Sequence, residues 1–390
     1  MICMNPWYII FWSSLLLIAH SYMIYPLILQ VLSHRKREND LYFDETEYPA
    51  VTVLMSAYNE QKVMADKLTS ILGSSYPAEK ITVIVGSDAS TDRTNEILLA
   101  FAEKDPRIRP VLFKERQGKP GVINQLVEQA GDAFIIMTDA NVMFHRDTIP
   151  KLIRHFRNSE IGIVGGNVIN ETVDKNGVAI QEKAFLSREI LLKYREGLIW
   201  GATIGVEGSV YAIRKELYTP VPRGFAVDDF FISMNVLRKG KQAILEIDAV
   251  TYENVPNMMS EEYRRKVRIA TGNFRNLRYF GRELIHPWRG DSFAYLSHKV
   301  IRWLGPFLIL AFMLSNIFLC ADHEIYRIAL FLLGGVLCLP IIDYFLSKIG
   351  IHIVFLRFVR HFISMNIALF HGFINNLGGI KKDVWQPTNR

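Results

Sequence analysis

Three apolar stretches, one near the start of the chain and two near its end, constrain its fold more than anything between them. Residues 7–31 are almost unbroken apolar sequence, and residues 301–320 and 325–345 form two further runs. About 20 such residues are what a helix needs to cross the hydrocarbon of a bilayer. These runs therefore read as membrane helices, and the sequence between them must supply the water-exposed domain. Trp7, Tyr8 and Trp12 at one end of the first run, and His34-Arg35-Lys36-Arg37 at the other, match an anchored span whose basic end stays in the cytoplasm. A cleaved signal peptide fits less well, because residues 1–6 carry no Lys or Arg and no small-residue cleavage site follows. The formal charge of +6 is modest, and its basic excess sits beside apolar segments, which favours a membrane surface over nucleic acid. Cys3, Cys320 and Cys338 show no paired spacing, so neither a disulfide framework nor a zinc site is expected.

Between the apolar ends the pattern alternates. Short β-branched runs at 51–55, 81–85, 108–113 and 134–138 are separated by helical stretches at 61–72, 92–104 and 120–130. Strands alternating with helices imply an α/β domain with a mainly parallel sheet and ligands at its carboxyl edge. A strand at 161–169 and a helix at 181–194 follow; a Gly-rich stretch then leads into Ala212-Ile213-Arg214-Lys215. The expected organisation is an anchor at 1–33, a linker at 34–49, a catalytic α/β domain at 50–259, an amphipathic interface region at 260–300, membrane helices at 301–377 and a tail at 378–390. The segment 351–377 carries Arg357, Arg360, His361, Ser364 and His371 at helical spacing. It either lines a polar path or lies on the interface, and the second keeps Lys381-Lys382 on the cytoplasmic side.

Two acidic spots carry the chemistry. The run Ile135-Ile136-Met137 stops on Thr138-Asp139-Ala140-Asn141, which delivers a carboxylate at the carboxyl end of a buried strand, where a divalent cation on a diphosphate is expected. About ninety residues later stands Asp228-Asp229, either a base with its neighbour or simply acids in the first turn of a helix at 230–238. Ala57-Tyr58-Asn59-Glu60 and Asp88 follow the first two strands as candidate nucleotide contacts, with Ser90 or Thr91 placed to cap the next helix. Lys119, after Gly118 and at the start of a helix, suits a cation facing phosphate. The glycine spacing is not that of a Walker sequence, which argues against ATP hydrolysis.

Taken in this order, these motifs resemble the inverting, membrane-bound family 2 glycosyltransferases, which include synthases of poly-N-acetylglucosamine, hyaluronan, chitin oligosaccharide and cellulose. The likeness covers roughly residues 51–272. It implies a GT-A type fold, a UDP-sugar donor, a glycan or lipid-linked acceptor, Mg2+ or Mn2+, and a multi-pass protein of the cell membrane with its catalytic domain in the cytoplasm. A secretion or accessory subunit is a further partner of this class; nucleic acid is not. Carried onto this chain, the resemblance makes Ala57, Tyr58, Glu60, Asp88, Lys119 and Asp139 nucleotide-sugar contacts, and Asp139-Ala140-Asn141 the metal motif. Gly208, Ser209, Arg214 and Arg265 fall on the acceptor side, and Asp229 is the base, with Asp228 and Arg268 beside it in the catalytic set. Asn124 matches the family's Gly-Lys-x-x-x-x-Asn stretch, and residues 385–390 its Trp-x-x-Thr-x-Arg tail. Two departures stand out: Asn141 replaces the second metal aspartate, and Arg265-Lys266-Val267-Arg268-Ile269 replaces Gln-x-x-Arg-Trp. Isoleucine cannot stack on an acceptor sugar as tryptophan does, which bears on product length.

Overall fold

A computed structural model describes residues 5–170, 179–253, 259–351 and 353–378, with backbone alone at 170, 179–186 and 259–261. Cys3 and the tail at 385–390 lie outside the described residues. The chain divides into two compact units, one built on Leu32–Val173 with Leu186–Pro256, the other on Met1–Val31 with Asn257–Gly379.

The first unit is organised by an eight-stranded mixed sheet of order β3-β2-β1-β4-β7-β6-β8-β5. Its strands are β1 (Val51–Ala57), β2 (Ile81–Asp88), β3 (Ile108–Phe113), β4 (Phe134–Asp139), β5 (Val142–Phe144), β6 (Ile161–Asn170), β7 (Val210–Arg214) and β8 (Gln242–Glu253). Strands β1 to β4 are mutually parallel wherever they pair, β6 pairs parallel to β8, and β7 and β5 run antiparallel to their neighbours. The first four expected strands are present, each starting at its expected residue and three of them running further. β5, β8 and the short helix Thr148–Ile153 were not legible.

Alternate residues of β1 and β2 explain the layering. Val51, Val53 and Met55 with Val83 and Val85 pack against Met64, Leu68 and Ile71 of helix Met64–Leu72 in the main apolar core. On β2, Gly86 faces helix Gly118–Gln129 so closely that an added Cβ would lie 2.4 Å from Val122 Cγ1. Burying such aliphatic side chains contributes about 1.5–3 kcal/mol each. The strand order places β1 between β2 and β4, with Ser56 of β1 level with Asp139 of β4. That is a switch point, where a crevice opens at the carboxyl ends of the strands.

In the second unit, Pro6–Ser33 and Glu324–Lys348 are long and apolar enough to cross a membrane. The expected span at 301–320 is different in form. Helix Gly305–Leu319 has 15 residues, too short alone, and qualifies only with Gly290–Trp303 across a 64° bend. Helix Val354–Leu377 is not among the helices that qualify. It lies against helix Met259–Tyr279, and a Cβ at Gly372 would meet Ala270 Cβ at 2.4 Å.

Candidate active site

The first two loops at the sheet's carboxyl edge are locked to each other. The Thr91 amide donates to Asn59 Oδ1 (2.8 Å), the Asn59 amide to Ser90 Oγ (3.1 Å) and the Glu60 amide to Thr94 Oγ1 (2.9 Å). Asn59 and Ala89 both adopt left-handed backbone, with φ of 54° and 55°. Asparagine tolerates that region; alanine there costs about 1 kcal/mol. The expected cap from Ser90 or Thr91 is not made. Both reach across to the Asn59 turn instead, and Asp92 Oδ1 accepts from the Thr94 amide at 2.9 Å. The Asp88 carboxylate accepts the amides of Gln117 (2.6 Å) and Gly118 (2.9 Å) and the Arg116 Nε (3.1 Å). Arg116 in turn lies 3.3 Å over the Tyr58 ring. Asp88 therefore anchors the turn that launches Lys119.

Lys119 is the centre of the charged group. Its Nζ donates to Asp139 Oδ1 at 2.7 Å and lies 3.7 Å from Asp228 Oδ2. Burial pulls this ammonium's pKa down, but the Asp139 and Asp228 carboxylates outweigh it and leave the pKa raised. Asp228 and Asp229 open helix Asp228–Arg238, where the unpaired amides of a first turn favour negative charge. The helix-start reading of this pair made from sequence is therefore met. Asp229 is nevertheless pushed up to about 6, first by burial and then by Asp228, with Lys193 and Lys119 opposing. A Cβ on Gly208 would stand 2.9 Å from Asp229 Oδ2, so any side chain here would displace the carboxylate. Next to it, the Ser209 carbonyl accepts from Thr138 Oγ1 (3.0 Å) and from the Asp139 amide (3.3 Å). The arrangement combines a carboxylate of raised basicity, a lysine and a second carboxylate at one sheet edge, as a proton-accepting, phosphate-facing site needs.

Among the described residues there is no group of three or more His, Cys, Asp and Glu able to hold a metal by themselves. Asn141 donates its Nδ2 to Glu253 Oε1 at 2.8 Å, which turns the amide so that its oxygen remains as a donor atom. One carboxylate and one amide oxygen fit a hard divalent cation that keeps waters and takes its other ligands from a diphosphate.

Asn124 acts at the back of this site. Its side chain accepts from Tyr218 Oη (2.7 Å) and the Val221 amide (3.0 Å) and donates to the Val221 carbonyl (3.0 Å), fixing the segment that leads to Asp228. Arg214 is not brought to the other residues. It pairs with Phe134 at the opposite end of β4 from Asp139, and its guanidinium donates to the carbonyls of Ile161 (2.9 Å), Phe156 (2.6 Å) and Asn158 (3.1 Å). That removes it from the acceptor wall and makes it a tie between β7 and the turn before β6. Arg265 and Arg268 lie on helix Met259–Tyr279 of the other unit, where Arg265 Nη1 is 3.8 Å from Glu262 Oε2.

Several groups at the site were not expected. Lys193, on helix Ala179–Trp200, donates to Glu207 Oε1 at 2.6 Å, beside Gly208. Glu253 orients Asn141 from 112 residues away. Lys67 is fully buried, its pKa driven well below the lysine norm by burial with Asp139 opposing. None of these has a local signal, since each matters only through a partner distant in sequence.

A GT-A-like mixed sheet with a lysine, a carboxylate ending β4 and two more at a helix start is the framework of a glycosyltransferase. Residues 52–218 match the family described as Glycosyl transferase family 2. The chain is 24% identical over 281 residues, 71% of this chain and 67% of the relative, to poly-beta-1,6-N-acetyl-D-glucosamine synthase of Staphylococcus aureus (strain COL). It is 25% identical over 242 residues to the probable glycosyltransferase YdaM of Bacillus subtilis (strain 168), covering 58% of this chain and 56% of that one. The fold is similar to that of the mannosyltransferase PcManGT from Pyrobaculum calidifontis, solved with GDP-Man and Mn2+. That likeness has a TM-score of 0.70 at 22% identity, covering 94% of this chain and 99% of that one.

Proposed function

We propose that the chain is a membrane-bound inverting transferase that moves N-acetylglucosamine from its UDP ester to a growing glycan at the cytoplasmic face. The observation that carries the reading is the Asp229 carboxylate, raised towards neutrality and pressed against Gly208 beside the Lys119–Asp139–Asp228 group. Tyr58, Glu60 and Asp88 frame the nucleoside pocket, and Ala57 ends the strand that presents it. Asp229 accepts the proton of the attacking acceptor hydroxyl as the bond from the sugar to UDP breaks, and the anomeric centre inverts. Lys119 holds the diphosphate. Asp139 and the Asn141 oxygen would hold Mg2+ or Mn2+, which supplies Lewis-acid stabilisation of the departing diphosphate. Gly208 and Ser209 form the acceptor side.

The likeness to the polymer synthase supports a polymeric product; Ile269 in place of tryptophan favours a second reading, one sugar added to a lipid-linked acceptor. The deciding experiment is nucleotide release by the detergent-purified chain with Mn2+ or Mg2+, across UDP- and GDP-sugars, with products sized on a gel. Turnover on UDP-N-acetylglucosamine with a ladder of products supports the first reading and a single small product the second. Turnover on a GDP-sugar alone overturns both as to donor.

A further inference from the structure

Beneath the β4–β5 turn lies a lysine that no part of the reaction above employs. Lys67 sits on helix Met64–Leu72 with no solvent exposure. Its Nζ donates to Thr138 Oγ1 at 2.7 Å and to the Val142 carbonyl, and lies 3.9 Å above the Phe144 ring. These partners bracket the turn: Thr138 immediately precedes Asp139, and Val142 immediately follows Asn141. The hydroxyl that receives Lys67 passes its own hydrogen to the Ser209 carbonyl at 3.0 Å, next to the glycine that abuts Asp229. One buried amine thus ties a core helix to both ends of the turn and, through Thr138, to the loop beside Asp229.

A lysine is costly to place there. Its desolvated head needs polar partners, and a methionine of similar length would fill the same apolar space without that cost. The geometry is what an aliphatic side chain cannot supply: two hydrogen bonds fixing the spacing of Thr138 and Val142, and so the separation of the Asp139 carboxylate and the Asn141 amide oxygen. We infer that Lys67 is a positioning residue that holds the 138–142 turn in the shape that presents Asp139 and Asn141 to a divalent cation bound with the nucleotide diphosphate. This rests on the proposed function, because it takes the turn to be the cation site. Residues that orient ligands in this way typically change metal affinity by about 10–100-fold when removed.

The test compares full-length wild type, Lys67→Met and Thr138→Val in detergent, by electron paramagnetic resonance titration of Mn2+ in the presence of UDP. UDP binding in EDTA serves as the control for the nucleoside pocket. Lys67→Met is expected to weaken Mn2+ binding at least about tenfold while UDP binding in EDTA stays within about twofold. Thr138→Val, which removes one of the two acceptors and keeps the side-chain shape, is expected to weaken Mn2+ binding by a smaller factor in the same direction. A role confined to folding would instead lower both affinities together, and that result overturns the inference. So does unchanged Mn2+ affinity in both variants. Tighter Mn2+ binding by Lys67→Met overturns it too, since repulsion of the cation would then outweigh positioning. If Lys67→Met does not fold, Thr138→Val decides alone. Wild type that binds no Mn2+ with UDP overturns the underlying functional reading, a failure distinguishable from wild type and variants that bind alike.

Discussion

The catalytic unit contains two charge clusters built from similar side chains, one half-buried and one largely buried, and they are arranged to opposite ends. At the carboxyl edge of the sheet, Lys119 serves Asp139 and Asp228 with Asp229 close by, so acids outnumber the cation in contact with them. Elsewhere in the same unit, one carboxylate has a surplus of partners. Glu246 is bonded by Arg154 Nη2, by His155 Nε2 at 2.7 Å and by the Asp248 amide at 2.9 Å. Tyr42 stacks edge-on against His155, and Asn39 reaches its other ring nitrogen at 3.3 Å, so the linker is fastened to the domain there. The consequences for proton affinity diverge. Despite opposing burial, the hydrogen bond from His155 and the other partners hold the Glu246 carboxyl down at about 2, whereas burial and Asp228 push Asp229 up to about 6. A carboxylate with satisfied partners is a fastening. One that is desolvated beside a second acid is ready to take a proton, and a site with surplus acid suits an added cation.

The sharpest way to break this contrast is Asp229→Asn. It is expected to lower transfer by about 1,000-fold, the range of a lost general base, with UDP binding nearly unchanged. Equal losses of transfer and binding would remove Asp229 from the role of base. Glu246→Gln attacks the other cluster. It is expected to destabilise the catalytic unit by about 3 kcal/mol, read as a shift in the denaturation midpoint, with the transfer rate per folded molecule unchanged. Because the Glu246 pKa is depressed on folding, from 4.5 to about 2, its contribution is fully present above pH 4.5 and disappears as pH falls towards about 2. The variant should therefore lose the wild type's steep destabilisation in that window.

The same contrast can be sharpened through pH. In the proposed role of base Asp229 acts deprotonated, so transfer should rise as pH increases through about 6. Lys193 lowers the Asp229 pKa, and Lys193→Met should move this acid limb upward by as much as about one unit. An unmoved limb would mean that Lys193 serves only Glu207. The smallest expected effect is at Ala89, whose left-handed backbone follows β2 at the sheet's carboxyl edge rather than in either cluster. Ala89→Gly should stabilise by about 0.5–1 kcal/mol in thermal unfolding, as relief of that strain exceeds the added flexibility of the unfolded chain.

Much of the fold was legible because the relevant signals are local. β-branched runs alternate with helical periods from Val51 onward, so strands β1 to β4 and the helices between them were readable. Since ligands gather at the carboxyl ends of such strands, Tyr58, Asp88 and Asp139 could be placed on one edge before any coordinates. β8 was not legible. Its apolar residues are interrupted by Glu246 and Asp248, and register shifts in its pairing with β6 blur the alternation. Arg214 was misplaced for a related reason: a strand shows its two faces in sequence, but not which of its ends joins the site when it runs antiparallel. The cap at helix Thr94–Lys104 failed more narrowly, since Ser90 and Thr91 found partners in another loop.

What the sequence by itself determined is therefore the set of short-range choices: which segments are apolar enough for a membrane, which alternate as strand and helix, and which polar residues end them. The tertiary structure alone decided which charges meet. Lys67 meets Thr138, Asn141 meets Glu253, and Lys193 meets Glu207 because packing closes 71, 112 and 14 residues of chain respectively. The physical reason is that periodicity is set by neighbours a few residues apart. Desolvation and Coulomb interaction depend on distance in space, and the folded sheet supplies that distance.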